Sequence, residues 1–550
     1  MTPRTSGIGS PRSRASGVAL GLDFGTESVR ALLVGIDGVE RGSAVVKYRH
    51  GQITERLPDQ REALPGDFAL QHPGDWLDSA CRAVRAARRA SGVGAEQIIG
   101  IGVDFTSCTM LPALADGTPL CLTDRFRGEK YAWPKLWKHH GAKSQTQRIN
   151  AVARQRGEAW LGRYGGTIGL EWFFPKVLET LENAPEVYQA AEVWIEAGDW
   201  FVWQLTGAPA AELPRSTCQA GYKAMWSKAD GYPSAEFFAA LDPRLSDVVA
   251  RRMPGRLLSP GETAGQLCPA MAARLGLRAG TAVSAATIDA HAAVPGAGAA
   301  GPGVLVMVLG TSSCHMLNAP VERMVPGVAG VVEGGILPGL FGYETGQAAV
   351  GDAFDWLRRA LGRRDFARLT DEARDVPPGA DGAACLDWFN GCRTPLMDGS
   401  LRGALTGLTL RHGPGHLYRA LIEASGFGLR WIVELLVEHG LPVERLVATG
   451  GLPHHNPLLV QIYADLLGRT IHVHPSRHGS ALGAAILGAL AAGRKASGFA
   501  SATQAIRAMA GSSGKGQPPA RVVRPDRRAT AAYDTAYARY RRLAEVLRTV

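Results

Sequence analysis

The apolar positions of the chain fall into short unbroken runs divided by turn residues, and some stretches carry helical spacing instead. Residues 17–38, GVALGLDFGTESVRALLVGIDG, are an apolar run, the turn Asp23-Phe24-Gly25-Thr26, a second apolar run and a closing turn. This pattern predicts a buried β-hairpin. A second unit of the same form fills 303–317, GVLVMVLGTSSCHML, with its turn at Gly310-Thr311-Ser312. One hairpin opens each half of the chain, a weak repeat of a whole domain rather than of a short solenoid unit.

Helices and further strands alternate between and after the hairpins. HPGDWLDSACRAVRAARRASG (72–92) predicts a helix with acid in its first turn and arginines in its last, complementing its dipole. IIGIGVDFTSCTMLPALADG (98–117) predicts a strand, a polar turn, another strand and an Asp-Gly turn. Residues 416–440 carry a long amphipathic helix ended by Gly440 and Pro442. This alternation predicts an α/β fold with largely parallel sheets.

A chain of 550 residues exceeds one ordinary core, so two large domains are expected. The Gly-, Ala- and Pro-rich stretch AVPGAGAAGPG (293–303) sets the boundary. The expected units are a disordered basic tail at 1–16 and domains at 17–295 and 296–510. A segment at 511–550 follows, in which 511–528 is a polar linker and Tyr533, Tyr537, Tyr540 and Leu547 mark one docked face of a terminal helix.

The net charge of +10 suggests nucleic acid until its position is considered. Arg4, Arg12 and Arg14 stand without an acid in the first 16 residues, and nine Lys/Arg face three acids after residue 511. The body is close to neutral and lacks the basic stripe of a phosphate-backbone footprint, so nucleic acid is not an expected partner. The eight cysteines are scattered without metal spacing, which fits reduced thiols in the cytoplasm. No apolar run approaches the roughly 18 residues of a membrane span.

Turns whose backbone N–H groups lie beside Ser or Thr hydroxyls make phosphate cradles. Gly25, Thr26 and Ser28 form one candidate, and Gly310, Thr311, Ser312 and Ser313 another. Two such turns, each after a buried strand, fit a nucleotide held between related domains. Asp23 adds a carboxylate able to hold hydrated Mg²⁺. Gly450-Gly451, ahead of Asn456 and a helix, suits either an adenine pocket or a plain strand-to-helix turn. Asp289 ends an apolar strand and is open to two roles, general base towards a hydroxyl or helix N-cap. His291 is expected to pack. A Walker sequence, a dinucleotide fingerprint and a Gly-x-Ser-x-Gly elbow are all missing, which disfavours P-loop ATPases, Rossmann dehydrogenases and α/β-hydrolases.

Taken in order, these pieces resemble the FGGY carbohydrate kinases of the actin/hexokinase/Hsp70 ATPase class. GLDFGTESVRALLV, GIGVDFTSCT, VLGTSSCHM and ATGGLPHHNPLLVQIYADLLG carry the likeness, and it spans most of the chain. CQAGYKAMW, GYETGQAAVGD and LDWFNGCRTP are similar to the ribulokinase branch. The resemblance implies two ribonuclease-H-like domains with ATP and sugar meeting in the cleft between them. It implies phosphate binding at Asp23, Gly25, Thr26, Ser28, Gly310, Thr311 and Ser312, and adenosine binding at Gly450, Gly451 and Asn456. Asp289 falls on the catalytic base, and Ser107, Lys223 and Glu344 join it on the ketopentose; Asp23 and Asp289 are the candidate Mg²⁺ holders.

The reaction so implied is ATP-dependent phosphorylation of L-ribulose to L-ribulose 5-phosphate, in L-arabinose breakdown. Alternatives are a kinase for D-ribulose, ribitol or D-xylulose, or a non-catalytic binder on the same fold. A homodimer is left open. The stretch Lys176-Val177-Leu178-Glu179 departs from the Lys-x-x-Trp of the broader family, as the ribulokinase branch also does.

Overall fold

The computed structural model describes residues 17–362, 365–511 and 520–548. The expected tail at 1–16, and 512–519 of the expected linker, lie outside the described residues.

Two seven-stranded mixed sheets organise the chain. The first takes β1 (Val18–Phe24), β2 (Ser28–Gly35), β3 (Glu40–Lys47) and β4 (Ile98–Phe105), then β5 (Thr263–Gln266), β6 (Ala282–Ser284) and β7 (Thr287–Ile288). The strand order is β3-β2-β1-β4-β6-β5, with β7 also alongside β4. β1 runs antiparallel to β2 and parallel to β4. The second sheet takes β8 (Val304–Leu309), β9 (Ser313–Ala319), β10 (Gly330–Glu333) and β11 (Phe341–Gln347), then β12 (Arg445–Thr449), β13 (Ile471–Val473) and β14 (Arg521–Val523). Its order is β10-β11-β9-β8-β12-β13-β14, with β8 antiparallel to β9 and parallel to β12. Each sheet thus has a hairpin whose first strand gains a parallel partner on its other side. The repeat suspected from two short turns is a repeat of sheet topology.

The predicted helices form with small shifts: α1 spans Pro73–Ser91, and the long helix α2 spans Pro414–Glu438. Asp75 and Arg88/Arg89 sit at opposite ends of α1, and Gly92 closes it at φ 70°. Met110–Ala113 is the strand expected after β4, and its partner is Val193–Glu196, far along the chain. The polar linker expected at 511–528 needs correction, because Arg521–Val523 pairs antiparallel with β13 as the edge of the second sheet. Val523 of that short strand packs on the domain while Val522 stays exposed, and the ladder with β13 outweighs its Pro-rich surroundings. The terminal helix α3 (Arg527–Leu547) docks as expected, with Tyr533, Tyr537 and Tyr540 buried.

Between the sheets lies a shared apolar layer. Ala19, Leu32 and Ile288 from the first sheet, Val306 and Met316 from the second, and Leu482 and Ile486 from helix Gly479–Ala491 belong to one cluster. That helix falls in the second half of the sequence, yet it packs directly on β1 and β4. The turns after β1, β4, β8 and β12, which carry the candidate residues, lie at the carboxyl ends of these central strands, the position at which open α/β sheets bind ligands.

Candidate active site

The β1–β2 turn is closed by its own backbone, Gly25 N donating to Ser28 O at 3.0 Å. Three neighbours brace it. Tyr48 OH donates to Gly25 O at 3.1 Å, Gln71 Nε2 to Thr26 O at 2.8 Å, and Trp137 Nε1 to Thr26 Oγ1 at 3.1 Å. The β8–β9 turn closes in the same way, with Gly310 N donating to Ser312 O at 3.0 Å. The helix Gly351–Ala360 seats it, Gly351 N donating to Gly310 O at 3.1 Å and Val350 N to Thr311 O at 3.0 Å. Both turns spend their carbonyls inward, together with the amides of Gly25 and Gly310, so that the hydroxyls of Thr26, Ser28, Thr311 and Ser312 and the amides that follow the two glycines are what could meet an anion.

Gly450 stands at φ 92°, and a Cβ there would lie 2.5 Å from Leu309 O, so the turn after β12 accepts only glycine. Asn456 is 6% exposed and its amide is spent within the protein. Its Oδ1 accepts from Leu459 N at 3.1 Å as a helix cap, and its Nδ2 donates to Tyr418 OH at 3.1 Å. It therefore shapes the turn rather than presenting a free polar group.

Asp23 ends β1 with Oδ2 accepting from Arg30 Nη1 at 2.8 Å. Asp289 begins the helix Asp289–Gly296 directly after β7. Its Oδ1 accepts from the adjacent Ala290 N at 2.7 Å, and the cap position belongs to Ile288, so the N-cap alternative falls away. Burial, reinforced by the charge of Asp23, pushes the Asp289 carboxyl up to about 7.

A third carboxylate was missed from sequence. Asp104 stands in register beside Asp23 on β4, with Thr287 of β7 on its other side. It is fully buried and neither oxygen has a hydrogen-bond partner among the described residues. Burial, then the charge of Asp23, raises its pKa well above the usual carboxylate range. The signal was present: GVDFTS at 102–107 repeats GLDFGT at 21–26, strand then Asp-Phe then turn. Three carboxyl groups, those of Asp23, Asp104 and Asp289, thus come from the ends of neighbouring strands, with Arg30 paired to Asp23.

The remaining candidates converge on the other wall. Lys223, on the helix Thr217–Lys223, donates to both carboxylate oxygens of Glu344 on β11, each at 2.8 Å. Both side chains are 6% exposed, so a surface lysine and a solvated glutamate are excluded. The pairing holds Glu344 below the usual range despite burial. His291 Nε2 lies 3.4 Å from Glu344 Oε2, and its ring packs 4.1 Å from that of Tyr222, as a packing histidine should. Burial takes its pKa down to about 4 and keeps it neutral.

Ser107 lies in a turn where Cys108 adopts φ 57°. The turn is pinned from beneath by the fully buried Lys176, whose Nζ donates to Cys108 O at 2.6 Å and Leu136 O at 3.0 Å. Lys176 is the first residue of the divergent Lys-Val-Leu-Glu stretch. Glu179, the last, stands where the broader family has Trp and is hydrogen-bonded to the buried His139 Nε2 at 2.8 Å.

Two sheets of one topology, meeting over a cleft lined by two phosphate-type turns and strand-end carboxylates, define an actin/hexokinase-like ATPase fold. Solved structures share it. A xylulose kinase from Rhodospirillum rubrum aligns with TM-score 0.75 at 22% identity, covering 97% of this chain and 99% of that one. A Plasmodium falciparum glycerol kinase with ADP aligns with TM-score 0.73 at 16% identity, covering 96% and 98%. Models of the FGGY family of carbohydrate kinases match the N-terminal domain over residues 18–296 and the C-terminal domain over 305–492. The chain belongs to this family. It is a carbohydrate kinase, acting on a sugar with ATP. A ribulokinase from Geobacillus thermodenitrificans is 44% identical over 95% of this chain and 93% of its own length. One from Mycolicibacterium smegmatis is 45% identical over 86% of each.

Proposed function

We propose that the chain transfers the γ-phosphoryl group of ATP to the terminal hydroxyl of L-ribulose, giving L-ribulose 5-phosphate and ADP. The observation that carries this reading is Asp289, its carboxyl pushed up to about 7, set between the Asp23 side of the cleft and the buried Lys223–Glu344 pair. The names of the 44–45% identical relatives support the choice of sugar.

In this reading Asp289 accepts the hydroxyl proton as the oxygen bonds to the γ-phosphorus and the bond to the bridging oxygen of ADP breaks. Lys223, Glu344 and the turn at Ser107 hold the ketose so that this oxygen faces the phosphorus. The turns of Gly25, Thr26 and Ser28, and of Gly310, Thr311 and Ser312, hold the phosphates through their hydroxyls and the amides that follow the two glycines. Gly450 and Gly451 offer backbone to the adenine ring, with Asn456 fixing their turn. Bound Mg²⁺ supplies charge neutralisation of the phosphates, with Asp23 and Asp289 as its holders. A cytoplasmic setting belongs to the same reading, since ATP and reduced thiols are both at hand there.

ADP release is measured with L-ribulose, D-ribulose, ribitol and D-xylulose at matched concentrations, and kcat/KM is expected to be highest for L-ribulose. Equal or better use of D-xylulose overturns the sugar assignment. Asp289→Asn is expected to keep its melting temperature and lose at least about a hundredfold in kcat. An unchanged kcat removes Asp289 from the role of base.

A further inference from the structure

One cation at the cleft has no close partner. Arg393 lies in the loop after the strand Ala384–Leu386, within the stretch LDWFNGCRTP. Its Nη1 reaches Cys314 Sγ at 3.8 Å, a weak acceptor, and its Nη2 lies 3.9 Å from Glu171 Oε1. A guanidinium carries five N–H donors, and no other hydrogen bond takes them among the described residues. The side chain keeps 23% exposure. The Lys223–Glu344 pair nearby is the opposite case, closed on itself at 2.8 Å through both oxygens.

The loop is held to the strand that carries Glu344. Thr394 N donates to Gly346 O at 3.1 Å, and Gly346 N to Thr394 Oγ1 at 3.3 Å, two residues beyond Glu344 on β11. Asp387, earlier in the same loop, accepts from Gln347 Nε2 and from Tyr540 OH of α3, both at 2.8 Å. Arg393 and Glu344 thus stand on one rigid frame. The groups whose fields act on Arg393 include Glu171, Glu344 and Cys108, the residue after Ser107. Glu171 precedes Trp172, whose ring lies 5.6 Å from Lys223 Nζ. Arg393 therefore spans the gap between the domains at the Lys223–Glu344 end of the cleft, with donors unspent.

We propose that Arg393 is a sugar-binding residue, its guanidinium donating to two neighbouring oxygens of the ketopentose and completing the site opposite Lys223. The planar fork suits adjacent hydroxyl and carbonyl oxygens, which a lysine ammonium cannot grip in the same way. This inference rests on the reading of the cleft as a ketopentose site.

Calorimetric titration with L-ribulose and, separately, with MgADP tests it in the wild type, Arg393→Lys and Arg393→Met. Both variants are expected to bind L-ribulose about tenfold or more weakly, the loss of one or two hydrogen bonds from a charged donor. MgADP affinity is expected to stay within about twofold in each. Unchanged L-ribulose binding in both variants overturns the proposal, as does a loss confined to MgADP, which would assign Arg393 to phosphate. Failure of the wild type itself to bind L-ribulose overturns the ketopentose reading instead. Should Arg393→Met fail to fold, Arg393→Lys decides alone.

Discussion

Glu196 ends the strand Val193–Glu196 with 3% exposure, and neither carboxylate oxygen has a hydrogen-bond partner among the described residues. Burial pushes it up to about 8, with Asp199 adding to the shift and Lys176, Lys223 and Arg215 opposing it. A carboxyl raised on folding takes up a proton that the unfolded chain gives away. Between its ordinary value of 4.5 and about 8, stability falls as pH rises, by at most about 1.4 kcal/mol per pH unit for one group. Glu196→Gln removes that contribution while Asp199, pushed up to about 7, retains its own. Melting temperatures from about pH 5 to about pH 8 are expected to fall less steeply in Glu196→Gln than in the wild type. Equal slopes would show that Glu196 is ionised and compensated in the fold. The same physics separates legible from illegible site residues. Asp23 and Asp289 were visible as carboxylates at the ends of apolar strands, an arrangement that demands a purpose. Glu196 and Lys176 look like ordinary surface charges until distant segments close over them.

The helix Gly479–Ala491, with the sequence GSALGAAILGALA, shows what glycine does at the scale of an element. A Cβ on Gly102 of β4 would lie 1.8 Å from Ala484 O, and one on Gly100 would lie 2.0 Å from Gly488 O. On the other side, a Cβ on Gly483 would meet Ala292 O at 1.7 Å. Each obstacle is main chain, which cannot rotate away, so sheet, helix and the helix bearing Asp289 are in backbone contact. Gly102→Ala is expected to destabilise the protein by about 3 kcal/mol, within the range of overpacking, and to lower the denaturation midpoint. A wild-type midpoint would mean that the helix moves off the sheet at little cost. Hydrophobic patterning revealed the two hairpins, because strands buried on both faces read as plain apolar runs. The partner of helix Gly479–Ala491 was not visible, since nothing local in the small-residue spacing of GSALGAAILGALA says which half of the chain it serves. The edge strand Arg521–Val523 was hidden for a related reason. Three residues bounded by prolines carry too little pattern to outweigh a polar, Pro-rich context.

Across the whole molecule, the pair at one end of the cleft is also a tie between the domains. Lys223 comes from the first half and Glu344 from the second sheet, and Tyr222 OH beside it donates to Gly342 O at 2.7 Å. Arg163 pairs with Glu322 at 2.9 Å and Lys228 with Glu333 at 2.7 Å across the same junction. The turns at Gly25 and Gly310 come from separate sheets, and none of these ties involves them. In the proposed reading, a sugar at Lys223 and Glu344 touches both domains at this fastened end, whereas a nucleotide at the two phosphate turns lies away from these ties. In the same reading, closure over the phosphate turns excludes water, which would otherwise take the phosphoryl group in place of the sugar. Hydrogen exchange can resolve the two events. MgADP alone is expected to slow exchange in residues 23–28 and 309–313, and L-ribulose alone in 106–109 and 221–224. Both ligands together should protect the two phosphate turns beyond the level reached with MgADP alone, because binding at one side then favours closure at the other. Protection that merely adds would mean that the domains already stand closed. Protection of the phosphate turns by L-ribulose alone, as strong as that from both ligands, would place control of closure with the sugar.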